Sequence, residues 1–163
     1  FAENFKQYFI PYFKKIQDTQ DTNFFYGMKA FDRVLLHTLW INYMKKNEFN
    51  PTHTHNGAFS FVLFLDVPDQ LHTEIKSFKG VGIGPGGLTL TYGEEQKNIV
   101  TAHNIVPTTG DLWMFPASMK HMVIPFRSDI TRISVSGNFF VTDDLNIGQP
   151  IQPGEFTLTN QGK

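Results

Sequence analysis

Apolar residues in the first part of the chain recur at intervals of three and four positions, which is the period of one helix face. These positions are Phe1, Phe5, Tyr8, Phe9, Tyr12, Phe13 and Ile16. The spacing predicts an amphipathic helix at the N-terminus. Pro11 falls inside this segment and is expected to kink or end the helix, because proline lacks the amide hydrogen that a helix interior requires.

From Val34 onward, short apolar or alternating runs separated by turn residues replace the helical pattern. The predicted strands are Leu35–Tyr43, Ala58–Val67, Leu88–Tyr92, Asn98–Ala102, Leu112–Phe115, Met122–Phe126 and Thr131–Val141. Several short strands with turn signals between them predict an all-β sandwich or barrel. The expected fold is a jelly roll that carries the N-terminal helical segment on its outside.

The length of 163 residues fits one domain. We expect a single domain over residues 1–163, with three parts. These are a helical and loop segment (1–33), a jelly-roll core (34–141) and an extended C-terminal arm (142–163) that contains Pro150 and Pro153.

Composition excludes several classes of site and of protein. The chain has no cysteine, so disulfides, thiolate metal sites and cysteine nucleophiles are ruled out, and the cytoplasm is the expected compartment. A formal net charge of -1 gives no basic excess, so nucleic-acid binding is not expected. No apolar run reaches the roughly 18 residues of a membrane span.

Histidines supply the first candidate chemistry. His53 and His55 are separated by one residue, and alternate residues of a strand point to the same face. His121 follows the turn at Gly110–Asp111 and a short apolar strand, and such a hairpin can bring it against the first two. Three imidazoles that converge in this way predict a metal site. The remaining histidines are expected to be structural or exposed: His37, His72 and His103.

The predicted strand near the C-terminal end of the core has one polar face. That face contains Arg132, Ser134, Ser136 and Asn138. It is either exposed to solvent or lines a polar cavity. An arginine flanked on its own face by hydroxyl groups suits the bidentate binding of a carboxylate.

Taken in order along the chain, these motifs resemble a known enzyme family. The sequence presents His53-Thr54-His55, the apolar strand to Pro68, Gly110–Asp111 to Phe115–Pro116, then His121, Arg132-x-Ser134 and Asn138. This arrangement is similar to that of the iron(II)- and 2-oxoglutarate-dependent oxygenases of the double-stranded β-helix fold. It is most similar to the small prolyl-hydroxylase-like members of tailed phages and marine bacteria, and a phage-encoded chain would act in the host cytoplasm.

The resemblance implies a site and its cofactors. His53 and His121 match two iron ligands, while His55 stands where the family usually has a carboxylate. Fe(II) is the implied metal, and Zn(II) or Ni(II) also suit three imidazoles. Arg132 matches the basic residue that binds the distal carboxylate of 2-oxoglutarate, with Ser134 and Asn138 on the same face. The implied activity is hydroxylation of a small molecule or a protein side chain, driven by oxidation of 2-oxoglutarate to succinate.

Two other hypotheses fit part of the pattern. A cupin-type metal protein also holds a metal with His-x-His and a distal histidine on a jelly roll, although cupins add a glutamate that Gly57–Ser60 lacks. A non-enzymatic phage or structural protein is the second alternative, because jelly rolls also build capsids and fibres. Metal content separates the second alternative from the others.

Overall fold

The computed structural model describes residues 2–19, 33–94, 97–142 and 155–157. These ranges contain two helices and nine strands. The helices are α1 (Ala2–Thr19) and α2 (Asp69–Ser77), and the strands are β1 (Arg33–Lys45), β2 (Asn50–His53), β3 (Phe59–Asp66), β4 (Leu88–Thr91), β5 (Ala102–Ile105), β6 (Leu112–Pro116), β7 (Lys120–Val123), β8 (Thr131–Thr142) and β9 (Glu155–Thr157).

The strands form two antiparallel sheets. One has five strands in the order β6-β3-β8-β1-β9, and the other has four in the order β2-β7-β4-β5. The chain passes repeatedly from one sheet to the other between β1 and β8. This connectivity is that of a jelly roll, as the strand pattern predicted. No helix in the described ranges is long and apolar enough to cross a membrane.

The chain divides into two compact units, and the larger unit comprises residues 39–138. Its core is built from side chains of both sheets and of α2. These residues are Met44, Val62, Phe64, Val67, Leu71, Leu88, Leu90, Ile105, Phe115 and Phe126. Strand β3 is buried from Phe59 to Phe64, on both of its faces, which explains its nearly continuous apolar sequence.

The second unit comprises residues 1–38 and 139–163. Within it, the rings of Phe9 and Phe13 on α1 meet Phe139 of β8 edge to face, with centroids 4.8 and 5.5 Å apart. Helix α1 is confirmed, but Pro11 does not end it, since the helix continues to Thr19. Of the predicted C-terminal arm, residues 143–154 and 158–163 lie outside the described residues, and β9 pairs with the start of β1.

One predicted strand is displaced along the chain, and one helix was not predicted. The strand predicted at Asn98–Ala102 is instead β5 (Ala102–Ile105), which pairs with β4 in the register Leu88↔Ile105. Helix α2 begins directly after Pro68 and carries Asp69 in its first turn and Lys76 in its last, as the helix dipole favours. His72 therefore lies on a helix.

Candidate metal centre

The three predicted metal ligands lie at one end of the four-stranded sheet. Strand β2 pairs antiparallel with β7, and His53 stands directly opposite His121. The register shifts between Asn50 and His53, so β2 ends at His53. His55 lies two residues beyond the strand, and its backbone amide donates to the carbonyl of Ala117 at 2.9 Å. The structure therefore brings the pair together with His121, although His55 is not held by strand parity as the sequence suggested.

The side chains of these three residues, here called the histidine cluster, converge. Their candidate ligand atoms all lie within 4.8 Å of one another, and the Nε2 atoms of His55 and His121 are 3.2 Å apart. Two nitrogens that bind one ion at about 2.1 Å each lie no more than about 4.2 Å apart. Small rotations of the rings therefore suffice to place all three around one ion. The cluster contains no carboxylate within the described part of the chain.

Main-chain carbonyls orient two of the rings. The Nδ1 atom of His53 lies 2.6 Å from the carbonyl oxygen of Pro51, and that of His121 lies 3.0 Å from the carbonyl oxygen of Met119. A carbonyl oxygen can only accept, so each Nδ1 carries a proton and donates it. The Nε2 atom of each of these two rings then carries the lone pair, and that of His121 accepts a hydrogen bond from the Nε2 of His55 at 3.2 Å. A carbonyl that holds the proton of the outer nitrogen is the arrangement that metal-binding histidines adopt.

Burial favours the neutral form of two rings of the cluster, His55 and His121. Burial lowers the pKa of His121 to about 4, an effect that the bond to Met119 opposes and that His53 and His55 reinforce. Burial and the neighbouring His53 also lower the pKa of His55. Because a metal competes with protons for the ring nitrogen, imidazoles of low pKa are ready to bind metal at neutral pH.

The histidine cluster opens into a cavity of about 310 Å³ in the unit of residues 39–138. Its lining combines apolar side chains with polar ones, and the ring of Trp40 lies 5.4 Å from that of His55. Arg132, Ser134 and Ser136 line the same cavity. Three of the four residues on the polar face of β8 therefore line a cavity.

Arg132 is the permanent cation of this cavity and is 4% exposed. One terminal nitrogen donates to the carbonyl of Gly86 at 2.6 Å, and the other lies 3.1 Å from the sulfur of Met44. The guanidinium stands 5.2 Å from the ring centroid of Phe64, and its Nε has no acceptor among the residues that the structure describes. Burial lowers the pKa of Arg132 to about 10, so the group stays charged at neutral pH.

The other residues of the polar face have different partners. The Oγ of Ser136 accepts a hydrogen bond from the side-chain amide of Asn42 at 3.2 Å. The side-chain oxygen of Asn138 accepts one from Ser60 at 2.7 Å, in a buried pair. Asn138 does not belong to the described residues that line the cavity. Its bond to Ser60 instead joins β8 to β3, because each strand supplies one partner.

The residues that hold Arg132 were not found from the sequence. Gly86 contributes only a carbonyl, and it comes from the glycine-rich segment between α2 and β4. Gly86 has a φ of 69°, a conformation that glycine adopts readily. The glycine itself was therefore the one sign of this turn in the sequence, and it did not indicate a contact with Arg132. Of the remaining histidines, His37 and His103 are exposed and pack against Phe140 and Trp113 respectively.

Comparison with known proteins gives one family and several similar structures. Residues 38–138, more than half of the chain, match the family described as "Putative 2OG-Fe(II) oxygenase". No curated protein matches the chain. The similar structures include an oxidoreductase of the 2OG-Fe(II) oxygenase family from Burkholderia pseudomallei, with 17% identity over 70% of this chain and 47% of that chain (TM-score 0.49).

Two further solved structures are similar at 11% identity. One is a non-heme monooxygenase, ThoJ, in a nickel complex, matched over 78% of this chain and 48% of that chain (TM-score 0.44). The other is the DMSP lyase DddQ from Ruegeria pomeroyi DSS-3, matched over 82% of this chain and 47% of that chain (TM-score 0.35). The chain thus spans about half the length of each of the three structures.

Proposed function

The chain belongs to the 2OG-Fe(II) oxygenase family, and on that premise we propose that it is an iron(II)- and 2-oxoglutarate-dependent dioxygenase that hydroxylates an organic substrate. One observation carries the proposal. Three converging histidines line the same cavity as a buried arginine, whose Nε has no partner in the described part of the chain. A structural arginine in an apolar environment would be expected to have a paired anion.

The donor set fits a divalent first-row metal. His53, His55 and His121 would hold it through their ring nitrogens, and imidazole binds Fe(II), Zn(II) and Ni(II). When bound, the metal supplies the oxygen chemistry of the family, in which 2-oxoglutarate is oxidised to succinate as the substrate is hydroxylated. The carbonyls of Pro51 and Met119 fix the two ring orientations before any metal arrives.

Arg132 fits the distal carboxylate of 2-oxoglutarate. Its Nε–H has no acceptor, so a carboxylate oxygen at that atom would complete its hydrogen bonds. Gly86 and Met44 hold the terminal nitrogens and restrict the rotation of the guanidinium. The hydroxyl of Ser134 lies one strand repeat away on the same wall and is a second candidate contact.

Apolar side chains cover part of the cavity wall near the histidine cluster. Phe115 packs against His121, with ring centroids 5.0 Å apart, and Val62, Phe64 and Leu88 also line the cavity. Because Arg132 itself is buried, its pairing with a carboxylate is stronger than the same pairing in water.

The test is formation of succinate from 2-oxoglutarate by the purified protein with Fe(II), with and without oxygen. We expect turnover that requires both metal and oxygen and that is lost in His121→Ala. An exposed-histidine variant, His103→Ala, is the matched control and should retain turnover. Metal binding without any consumption of 2-oxoglutarate would reject the proposal and favour a cupin-type metal protein, whereas no metal binding would favour a structural role.

A further inference from the structure

Arg132 uses its donors unevenly. Its Nη1 donates to the carbonyl oxygen of Gly86 at 2.6 Å, and its Nη2 lies 3.1 Å from the sulfur of Met44. Its Nε–H has no acceptor among the described residues. Because the guanidinium is planar and rigid, the Nε–H and one N–H of Nη2 point the same way along one edge of the group. The two nitrogens of this edge, here called the binding edge, therefore have only a sulfur atom as a partner in the described part of the chain.

The binding edge is the part of an arginine that a carboxylate fits best. Two parallel N–H groups match the two oxygens of a carboxylate, and such bidentate pairs are among the strong hydrogen bonds of proteins. A thioether sulfur, in contrast, is only a weak acceptor. The contact with Met44 therefore satisfies little of what the binding edge can donate, and a carboxylate gains more there than it displaces.

Met44 reaches Arg132 with a flexible side chain from a fixed backbone. It lies near the end of β1, is 8% exposed and lines the same cavity as Arg132. The turn after β1 is held in place, since the amide of Asn47 donates to the carbonyl of Phe126 at 2.8 Å. A methionine side chain has several rotatable bonds and adapts to irregular spaces. The sulfur can thus leave Nη2 while the backbone of β1 keeps its position.

We propose that Met44 is a positioning residue for Arg132, whose sulfur holds Nη2 in the ligand-free protein and yields the binding edge to a carboxylate. This proposal rests on the proposed function and deepens it, because it names the residue that sets the affinity for the distal carboxylate of 2-oxoglutarate. A stronger acceptor at position 44 would keep the binding edge occupied. A side chain without an acceptor would leave the edge open, so the weakness of the thioether is the property that matters.

The test compares Met44→Gln with Met44→Leu, two side chains close to methionine in size. Glutamine has an amide oxygen, which is a strong acceptor, and leucine has none. Each protein is loaded with Ni(II) and titrated calorimetrically with 2-oxoglutarate and with pyruvate. Pyruvate is a 2-oxo acid without a distal carboxylate, so its binding does not depend on Arg132. The ratio of the two affinities, here called the affinity ratio, isolates the contribution of the distal carboxylate.

We expect the affinity ratio of Met44→Leu to equal or exceed that of wild type. That of Met44→Gln should be about tenfold lower, because its amide oxygen competes with the carboxylate for a charged donor. Ratios that agree within about threefold in the two variants would overturn the proposal. A ratio that falls below wild type in Met44→Leu would also overturn it, since the sulfur contact would then support binding instead of yielding to it.

Controls separate this role from damage to the site. Pyruvate affinity should be the same in wild type and both variants, and a parallel fall for both ligands would show a damaged site and reject the proposal. Met114→Gln places the same amide on β6, at a methionine outside the described lining of the cavity, and should leave the affinity ratio unchanged. If Met44→Gln does not fold, the comparison of wild type with Met44→Leu decides by the same criterion.

Failure of the proposed function gives a different result from failure of this proposal. A wild-type protein that binds Ni(II) but holds 2-oxoglutarate no more tightly than pyruvate would show that the distal carboxylate is not bound by Arg132. That result would reject the proposed function and the role of Met44 together. A wild-type preference for 2-oxoglutarate, with no difference between the two Met44 variants, would retain the proposed function and reject the role of Met44 alone.

Discussion

Arg132 is buried, and its Nε–H has no acceptor among the described residues. A substitution of this residue can show whether it binds a ligand or only supports the fold. If it anchors 2-oxoglutarate, Arg132→Met should weaken binding of that ligand by about 2–4 kcal/mol, as for other broken buried pairs. The unfolding free energy without ligand should change by no more than about 1 kcal/mol, because an apolar side chain avoids the cost of burying an unpaired charge.

Titration calorimetry and urea unfolding measure these two quantities. Ser136→Ala is a suitable control, since Ser136 lines the same cavity but already accepts the amide of Asn42. A variant Arg132→Met that binds 2-oxoglutarate normally but unfolds far more easily would show that the arginine serves the fold.

Residue spacing alone could predict the candidate ligands but not their supports. His-x-His and a histidine after a hairpin are local patterns, and alternation assigns Arg132 to a polar face. The carbonyl of Gly86 and the sulfur of Met44 carry no such pattern, since they meet Arg132 from 46 and 88 positions away. Alternation also could not show that Asn138 accepts a hydrogen bond from Ser60. It predicts the face of the strand on which a side chain lies but not the residue that the side chain contacts.

At the scale of elements, the glycine-rich segment before β4 connects α2 with Arg132. Gly86 has a φ of +69°, and a Cβ there would stand 2.7 Å from the side chain of Leu71 on α2. Gly86→Ala should therefore strain the backbone and displace the carbonyl that holds Arg132. We expect a loss of about 1–3 kcal/mol of stability, together with weaker binding of 2-oxoglutarate.

Gly82→Ala is the matched control. Gly82 also has a positive φ, of +107°, but a Cβ there would meet no atom within 4 Å. Unfolding and ligand titration should show strain in both variants and a loss of 2-oxoglutarate affinity only for Gly86→Ala. Equal affinity in the two variants would mean that the carbonyl of Gly86 does not position the arginine.

Element boundaries show where sequence patterns cease to be sufficient. Helix α2 has only nine residues, and its short apolar face contains Leu71 and Ile75. Two apolar positions are too few to show a helical period in the sequence, so the helix was not predicted. Strand β5 was placed too early because Ile99 and Val100 are β-branched, yet both are exposed. The pairing of β5 with β4, a tertiary feature, fixes its true bounds.

At the scale of the whole molecule, the metal site should couple to folding. The histidine cluster draws ligands from the end of β2 and from β7, two segments about 70 residues apart in sequence, so a bound ion ties them together in the native state only. Ni(II) at about 100 times its Kd should add about 2.7 kcal/mol, which corresponds to a Tm increase of roughly 5–10 °C.

Calorimetry with added Ni(II), followed by a chelator to reverse the effect, measures this stabilisation. His121→Ala, which retains the exposed histidines elsewhere, should show little increase. A comparable increase in that variant would indicate surface binding and would argue against a single site.

The overall architecture followed from strand number and alternation, but the order of the strands did not. Alternating and doubly buried runs identify strands and their inner faces. The pairing of β3 with β6 and of β2 with β7 joins segments that are distant in sequence, and no local signal encodes such a choice. The position of the cavity depends on that order. The sequence could therefore predict which residues belong to the site but not where in the fold the site lies.

The carbonyls of Pro51 and Met119 have a bearing on how sites of this kind diverge. Every amino acid supplies a main-chain carbonyl, so mutational drift at these two positions leaves the ring orientation intact as long as the backbone path is kept. Related sequences are then free to vary at these two positions. A site whose rings were oriented by side-chain carboxylates would instead require an Asp or Glu at further positions. Searches for distant homologues of this centre should therefore weight the spacing of the three histidines and ignore the identity of the residue two positions before the first and the last of them.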